Sequence, residues 1–299
     1  MSLGLAARCG VALLCAAPLS ACATPPPPSR FPDAQALLSR MRAGSECSRG
    51  VSGEAKLDYY GEEGRVRGNL LYLVSAPDRM RLDVFSPFGA TISTLTSDGR
   101  DFALFDLRQK SFLRGPANAC NLQRFTRVPL PQHAFADLLR GQAPLLVHDA
   151  GSARLDWEGG SYVVRIDSKH QAREEVRLVP VEADWNKNFS EQRLRLLSVA
   201  VTQAGAPLYS VELGEHAAAP MSAPRVDPDG LDPPIPPSGP ECHAEVPRRI
   251  RFLVGDGERD LLLVSQDVSH NPPLAPGVFS QDAPPGTKVG YSACSVSQP

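Results

Sequence analysis

Residues 79–85, RMRLDVF, alternate without a break: Met80, Leu82 and Val84 fall on one side, Arg79, Arg81 and Asp83 on the other. Successive residues of a strand point to opposite faces, so this segment reads as a strand with one dry face and one wet face. The same period of two governs most of the chain. It runs through GEAKLDYY (53–60) and RVRGNLLYLV (65–74), then ATISTLT and DFALFDL on either side of Ser97-Asp98-Gly99, then KSFLRG. Asp-Gly between strands is a strong hairpin signal. Beyond residue 152 it returns in ARLDWE, SYVVRIDS, REEVRLVPV, RLRLLSVAVTQ and PLYSVELGEH, and again in residues 248–268, with Asp256-Gly257 near a turn. Ten or so strands in one sheet curl or close. The expected class is therefore mainly β (α+β): a curled antiparallel sheet whose wide dry face needs a cover.

Two helices are available as that cover. Residues 31–43 place Ala34, Leu37, Leu38 and Met41 on one helical face, with Pro32 suited to the first turn and Gly44 to the stop. A second short helix is expected over roughly 131–140, with Phe135, Leu138 and Leu139 as its stripe and Gly141 at its end. Residues 217–245 are proline-rich and lack periodicity, which predicts an extended loop inside one domain spanning 31–292. The closing NPPLAPGVFSQDAPPGTKV reads as irregular.

The N-terminus is set apart from the fold. Arg8 precedes the apolar stretch CGVALLCAAPL (9–19), which fits the core of a signal peptide and is too short to span a bilayer. Leu19-Ser20-Ala21-Cys22 then resembles a bacterial lipobox. The resemblance implies cleavage after residue 21, a thioether-linked diacylglyceryl group on Cys22 and acylation, palmitate-like, of the new amine. An ordinary secretory signal cut after Ala21 or Ala23 is the alternative. ATPPPPSR follows, so residues 22–30 read as a lipidated cysteine and a stiff polyproline tether. Ala23 rather than Asp after the cysteine implies, by similarity to enterobacterial sorting, an outer-membrane address facing the periplasm.

Of seven cysteines, Cys9 and Cys15 belong to the signal segment and Cys22 to the anchor. Cys47, Cys120, Cys242 and Cys294 remain, an even number that suggests two disulfides in an exported chain. Three pairings are possible. Cys47–Cys120 and Cys242–Cys294 are expected, since each ties segments expected to be neighbours. No pair has Cys-x-x-Cys spacing for zinc. A formal charge of −2 with no long run of either sign argues against nucleic acid and against a polybasic membrane patch.

The run RLDVFSPFGATISTLTSDGRDFALFDLRQKSFLRGP, followed by RVPLPQHAFADLLRG, resembles the LolB-like lipoprotein receptors of the LolA/LolB-like superfamily. In that family a strand enters a Pro-Leu-Gly turn, further strands follow, then a Pro-x-Pro stretch and a helix ending in Gly. Here these are Ser86-Pro87-Phe88-Gly89, Pro129-Leu130-Pro131, and Phe135 to Gly141. VFSQDAPPGTKV is similar to the superfamily's ending. The resemblance implies an incomplete β-barrel with a helical lid over a greasy cavity. It implies a monomer that takes the acyl chains of lipoprotein cargo from a periplasmic carrier and inserts them into the membrane that holds its own anchor, without catalysis or cofactor. It makes Pro87, Phe88 and Gly89 the membrane-insertion loop, with Phe88 as the protruding residue. Folding of the ring back onto the core is the other reading. The chain departs from the pattern in having Ser and Phe where the family shows Asn and Leu, in its long C-terminal region and in its four added cysteines. These departures leave open the binding of another lipid or glycolipid, or a structural envelope role.

Met80, Leu82, Val84, Phe102, Leu104, Phe135, Leu138 and Leu139 are the candidate cavity lining, although any one of them taken singly reads more readily as plain core. Other chemistry finds little support. His133, His148, His170, His216, His243 and His270 are scattered, with no HExxH or His-x-His. Cys242-His243 are adjacent and rarely face each other as a nucleophile pair would. Asp227, Asp229 and Asp232 lack the remaining ligands of a calcium loop. There is no GxSxG, phosphate loop or dinucleotide fingerprint.

Overall fold

The computed structural model describes residues 24–62, 64–149, 151–255 and 257–294; Cys22 and the signal segment lie outside the described residues. The chain first makes α1 (Ala34–Ser45), then a meander of six strands: β1 (Gly50–Gly61), β2 (Gly64–Ser75), β3 (Arg79–Phe85), β4 (Thr91–Ser97), β5 (Asp101–Asp106) and β6 (Ser111–Pro116). Two helices follow, α2 (Ala119–Thr126) and α3 (Gln132–Leu139). A second meander comprises β7 (Ala153–Glu158), β8 (Ser161–Asp167), β9 (Ala172–Pro180), β10 (Leu194–Gln203) and β11 (Ala206–Gly214). After the short β12 (Ala217–Ala219) and β13 (Ala244–Val246) come β14 (Arg249–Val254), β15 (Arg259–His270) and β16 (Lys288–Tyr291).

Fourteen strands form one sheet in the order β16-β6-β5-β4-β3-β2-β1-β15-β14-β11-β10-β9-β8-β7. Every neighbouring pair is antiparallel except β16 on β6. The sheet curls and stays open, because its edge strands β16 and β7 do not pair with each other. Its seam is β1 against β15, with Val51 opposite His270 and Tyr60 opposite Asp260. The connection from β6 to β7 must pass from one edge of the sheet to the other, and α2 and α3 ride on that crossover. The dry face forms a continuous core, including Leu70, Val74, Leu82, Leu95, Val164, Val199 and Phe252. The wet face carries ion-pair ladders such as Asp58–Arg65 and Arg251–Asp260.

The helix stripe read from the sequence is the buried face of α1: Ala34, Leu37, Leu38 and Met41 are all buried. Asp33 caps it, accepting from the Ala36 N–H at 2.8 Å, so Pro32 lies before the cap and the helix runs one residue past Gly44. α3 occupies the expected span. α2 was not expected: its only large apolar residues are Leu122 and Phe125, and its clearest signal is Asn118, whose side chain accepts from the Asn121 N–H. β16 was also missed. It has just four residues and owes its place to pairing with β6.

The expected disulfide pairing is corrected: Cys47 pairs with Cys242 and Cys120 with Cys294, with Cα–Cα distances of 6.1 and 6.0 Å. Asn271, just past β15, explains the first bond. Its amide donates to the carbonyls of both Cys47 and Pro240 at 2.7 Å, holding the end of the proline-rich segment against the start of β1. β16 explains the second. Alongside β6 it delivers residues 292–294 to the first turn of α2, where Asn118 Nδ2 donates to the Cys294 carbonyl at 2.7 Å. Neither neighbourhood exists until strands distant in sequence have paired.

Residues 217–245 are an extended excursion opened and closed by the β12–β13 ribbon and pinned by bridges from Met221 to His270 and from Pro237 to Pro273. Residues 24–30 lie on the body. Trp157 Nε1 donates to the Thr24 carbonyl at 2.9 Å, Pro27 is buried, and Phe31 packs edge-on against Tyr162 and Phe189. The described part of the tether is thus packed against the body.

Candidate functional site: an apolar cavity with an aromatic turn at its rim

The β3–β4 turn is built to hold its shape. Gly89 N–H donates to the Ser86 carbonyl at 2.9 Å, Ser86 N–H to Ala90 O at 2.8 Å, and Ala90 N–H to Ser86 Oγ at 3.1 Å. Pro87 takes the second turn position, where its fixed φ fits, and Gly89 supplies a φ of +82°. The residue between them has nowhere to fold back: Phe88 is 97% exposed. The exposed reading of Phe88 therefore describes the molecule.

Ser86 and Pro87 also form part of the wall of a cavity of about 270 Å³. The cavity lies between the dry face of the first meander and the two crossover helices. Leu57 and Tyr59 of β1, Val66 and Leu70 of β2, and Leu261 and Leu263 of β15 line its sheet side. Leu82, Val84, Ile92 and Leu104 continue that wall. Phe125 and Thr126 at the end of α2, and Phe135 of α3, close it from the helix side. Phe135 is held by stacking on Phe252 with ring centroids 5.4 Å apart. Thr126 Oγ1 lies 3.0 Å from the Leu122 carbonyl and 3.1 Å from that of Val128, which fixes the end of α2. The lining also includes the charged residues Arg67, Asp106, Arg108 and Arg127.

The eight predicted lining residues divide in half. Leu82, Val84, Leu104 and Phe135 line the cavity. Met80, Phe102, Leu138 and Leu139 are core, each at most 2% exposed. Strand register gives the reason. Met80, Ser97 and Phe102 share one row across β3, β4 and β5. α3 begins over that row, where Ser97 Oγ donates to Gln132 Oε1 at 2.7 Å. Val84 lies four residues further along β3, about 13 Å away, where the helix cover thins. Leu57, Tyr59, Leu261 and Leu263 were not foreseen, because nothing in the sequence makes β15 the neighbour of β1.

The remaining sequence candidates find plain roles. Cys242 is in a disulfide, so it is no nucleophile. Asp227 accepts from the N–H groups of Leu231 and Asp232, which lower its carboxyl below the usual range. Among the described residues, no group of three or more His, Cys, Asp or Glu is placed to hold a metal ion. No helix of the described residues is long and apolar enough to cross a membrane.

No family model matches this chain, and no curated protein does. Solved structures do resemble it. A DUF1329 family protein from Desulfovibrio piger aligns with a TM-score of 0.50 at 9% identity, over 82% of this chain and 94% of that one. A LolA superfamily protein from Nitrosomonas europaea aligns at 0.49 and 12% identity, over 83% and 98%. A domain described as an outer membrane lipoprotein-sorting protein, from Vibrio parahaemolyticus, aligns at 0.43 and 10%, over 81% and 94%. Such likeness concerns the fold alone. The chain adopts the architecture expected of a LolA/LolB-like protein: an open, curled antiparallel sheet with helices over an apolar cavity.

Proposed function

We propose that this protein is an outer-membrane-anchored lipoprotein that receives the acyl chains of lipoprotein cargo from a periplasmic carrier and aids their insertion into the membrane. The observation that carries the reading is the juxtaposition of Phe88, 97% exposed on a rigid turn, with the cavity that the same turn helps to wall. A chain leaving the cavity by that rim passes the ring. Burying a Phe side chain in the interface is worth roughly 1.5–3 kcal/mol, enough to hold the rim at a membrane transiently and too little to trap it there. No covalent step is required. Acyl chains move from one apolar compartment to another, so the exchange runs near balance, and neither enzyme activity nor a cofactor belongs to the proposal.

The test uses a lipid-free Cys22→Ala form, a carrier loaded with radiolabelled lipoprotein, and liposomes. Label is expected in the liposome pellet only when the protein is present. Phe88→Glu is expected to leave folding and cargo binding intact and to cut transfer about tenfold or more, given the energy of burying the ring. Label that stays on the carrier with folded protein would overturn the receptor reading, and full transfer by Phe88→Glu would remove the loop from it.

Binding of a free lipid or glycolipid is the second reading, supported by the cavity's size. At about 270 Å³ it lies just under the ~300 Å³ at which small-molecule sites begin, which suits one chain better than several. Lipid extracted from the purified protein would distinguish it. A purely structural role is disfavoured by the presence of the cavity.

A further inference from the structure

At the opposite strand ends from Phe88, a second, smaller recess of about 70 Å³ lies where α1, the end of α3, the start of β10 and the β12–β13 ribbon meet. A single water needs on the order of 10–15 Å³ of such space, so the recess has room for a small polyatomic ion and is too small for an acyl chain. Its lining is basic: Arg40, Arg140, Arg193 and Arg195, against the single carboxylate Glu245. Three of the arginines have carboxylate partners, Asp137, Asp184 and Glu245. Arg40 has none among the described residues. It is held in place by donating to the backbone carbonyls of Gln192 and Glu191, at 2.8 and 3.2 Å.

Two buried side-chain atoms in this lining have no hydrogen-bond partner among the described residues. Ser48 is 8% exposed, and its buried Oγ meets no hydrogen-bonding group. His216 makes a hydrogen bond to the Leu196 backbone, but its buried Nε2 has no partner among the described residues. Buried polar atoms are paired in the great majority of cases, and each exception calls for an explanation such as a bound water, ion or ligand. Arginines also keep spare donors. Each guanidinium has five N–H groups, and those of Arg40 and Arg195 that are engaged account for only part of them.

We propose that this recess is a binding site for a phosphate-class oxyanion, with Arg40 and Arg195 as the charged clamps and Ser48 and His216 as the inner hydrogen-bonding groups. Arginine forks suit an oxyanion with several acceptor oxygens. The site also gives the proline-rich excursion a purpose, since its closing ribbon supplies Glu245 to the wall and the Cys47–Cys242 bond fixes that ribbon beside Ser48. The proposal does not depend on the transport reading.

The test is calorimetric titration of the lipid-free full chain with inorganic phosphate, at constant ionic strength against chloride. Saturable binding is expected. Arg40→Gln should weaken it about tenfold or more, and Ser48→Ala by several-fold, as loss of hydrogen bonds to a charged group requires. Near-ultraviolet circular dichroism checks that each variant is folded, and Ser48→Ala keeps the test decisive if Arg40→Gln is not. Two further arms identify the source. Sedimentation with phosphatidylglycerol but not phosphatidylcholine vesicles, lost in Arg40→Gln, would assign a lipid headgroup. Phosphate binding without vesicle binding would assign a soluble phosphate. No saturable heat with folded wild-type protein, or heat unchanged in both variants, would overturn the proposal.

Discussion

Glu174 lies on the dry face of β9 and is completely buried. One carboxyl oxygen accepts from the Leu146 N–H at 2.9 Å and the other has no partner among the described residues. Burial pushes its pKa up to about 7, with the Leu146 N–H pulling partly the other way. The native carboxyl therefore holds its proton to higher pH than the unfolded one, whose pKa is about 4.3. The stability this contributes is complete below that unfolded value and is lost as pH rises through about 7. Urea unfolding at pH 5 and pH 8 should show it: between wild type and Glu174→Gln, which keeps an acceptor for Leu146, the stability difference should change by about 2–3 kcal/mol in favour of Gln at pH 8. A difference that does not move with pH would contradict the assignment. Alternation makes Glu174 legible as inward-facing, beside Val176 and Leu178. Its partner is not, because Leu146 belongs to a crossover whose path only the assembled sheet defines. The same split applies to Phe88. Its turn was plain from Pro-Phe-Gly, but exposure follows from three hydrogen bonds that no composition rule supplies.

At the scale of elements, strands were the legible part. β3, β7 and their neighbours lie where period two put them, since one wet and one dry face leave a strand no other register. α2 and β16 were missed together, and they depend on each other. Asn118 and Cys120 of the helix meet Cys294, and Ser292 donates both to the Arg114 carbonyl of β6, at 2.8 Å, and to Asn121 of α2. Gly115 makes this junction possible: a Cβ there would collide with the Ser292 carbonyl. Gly115→Ala should lift β16 from β6 and loosen the helix that closes the cavity. Hydrogen exchange should accelerate in residues 119–126 and 288–291 while β1 and β15 stay protected. Unaltered exchange at α2 would show that the helix does not rely on this support.

For the whole molecule, the open question in the sequence was which apolar residues fill space and which border it. Two substitutions separate them. Met80→Ala removes a side chain with no exposed surface and should cost about 2–5 kcal/mol of stability, leaving capture of a fluorescent fatty acid intact. Leu104→Trp enlarges a partly exposed cavity wall; it should cost about 1 kcal/mol or less and abolish capture. Equal effects of the two on capture would mean the cavity is not the binding space. The tether bears on the same scale. Residues 24–30 dock beside Trp157 at the β7–β8 end, whereas Phe88 sits at the other strand ends of the sheet. On the proposed reading, in which Cys22 carries a lipid anchor, those residues must come away for the ring to reach the same membrane, releasing about 3 Å of reach per residue. Trp157→Ala should therefore speed membrane engagement of the anchored protein and leave the lipid-free form unchanged in the transfer assay. Identical rates for anchored wild type and variant would show that the docked tether imposes no restraint.

The two disulfides interleave: residue 47 reaches across to 242, and 120 to 294. If the chain is exported N-terminus first, as the proposed function requires, Cys47 and Cys120 reach an oxidising compartment before either has met its true partner. Oxidation in order of arrival makes the wrong bond. It ties the segment just before β1 to the first turn of α2, on either side of the first meander, and it must be undone before Cys47 can reach Cys242. The molecule thus matures correctly only where thiols stay open until synthesis ends or where an isomerase reshuffles them, so its yield should track the reshuffling capacity of the compartment more closely than its oxidising power.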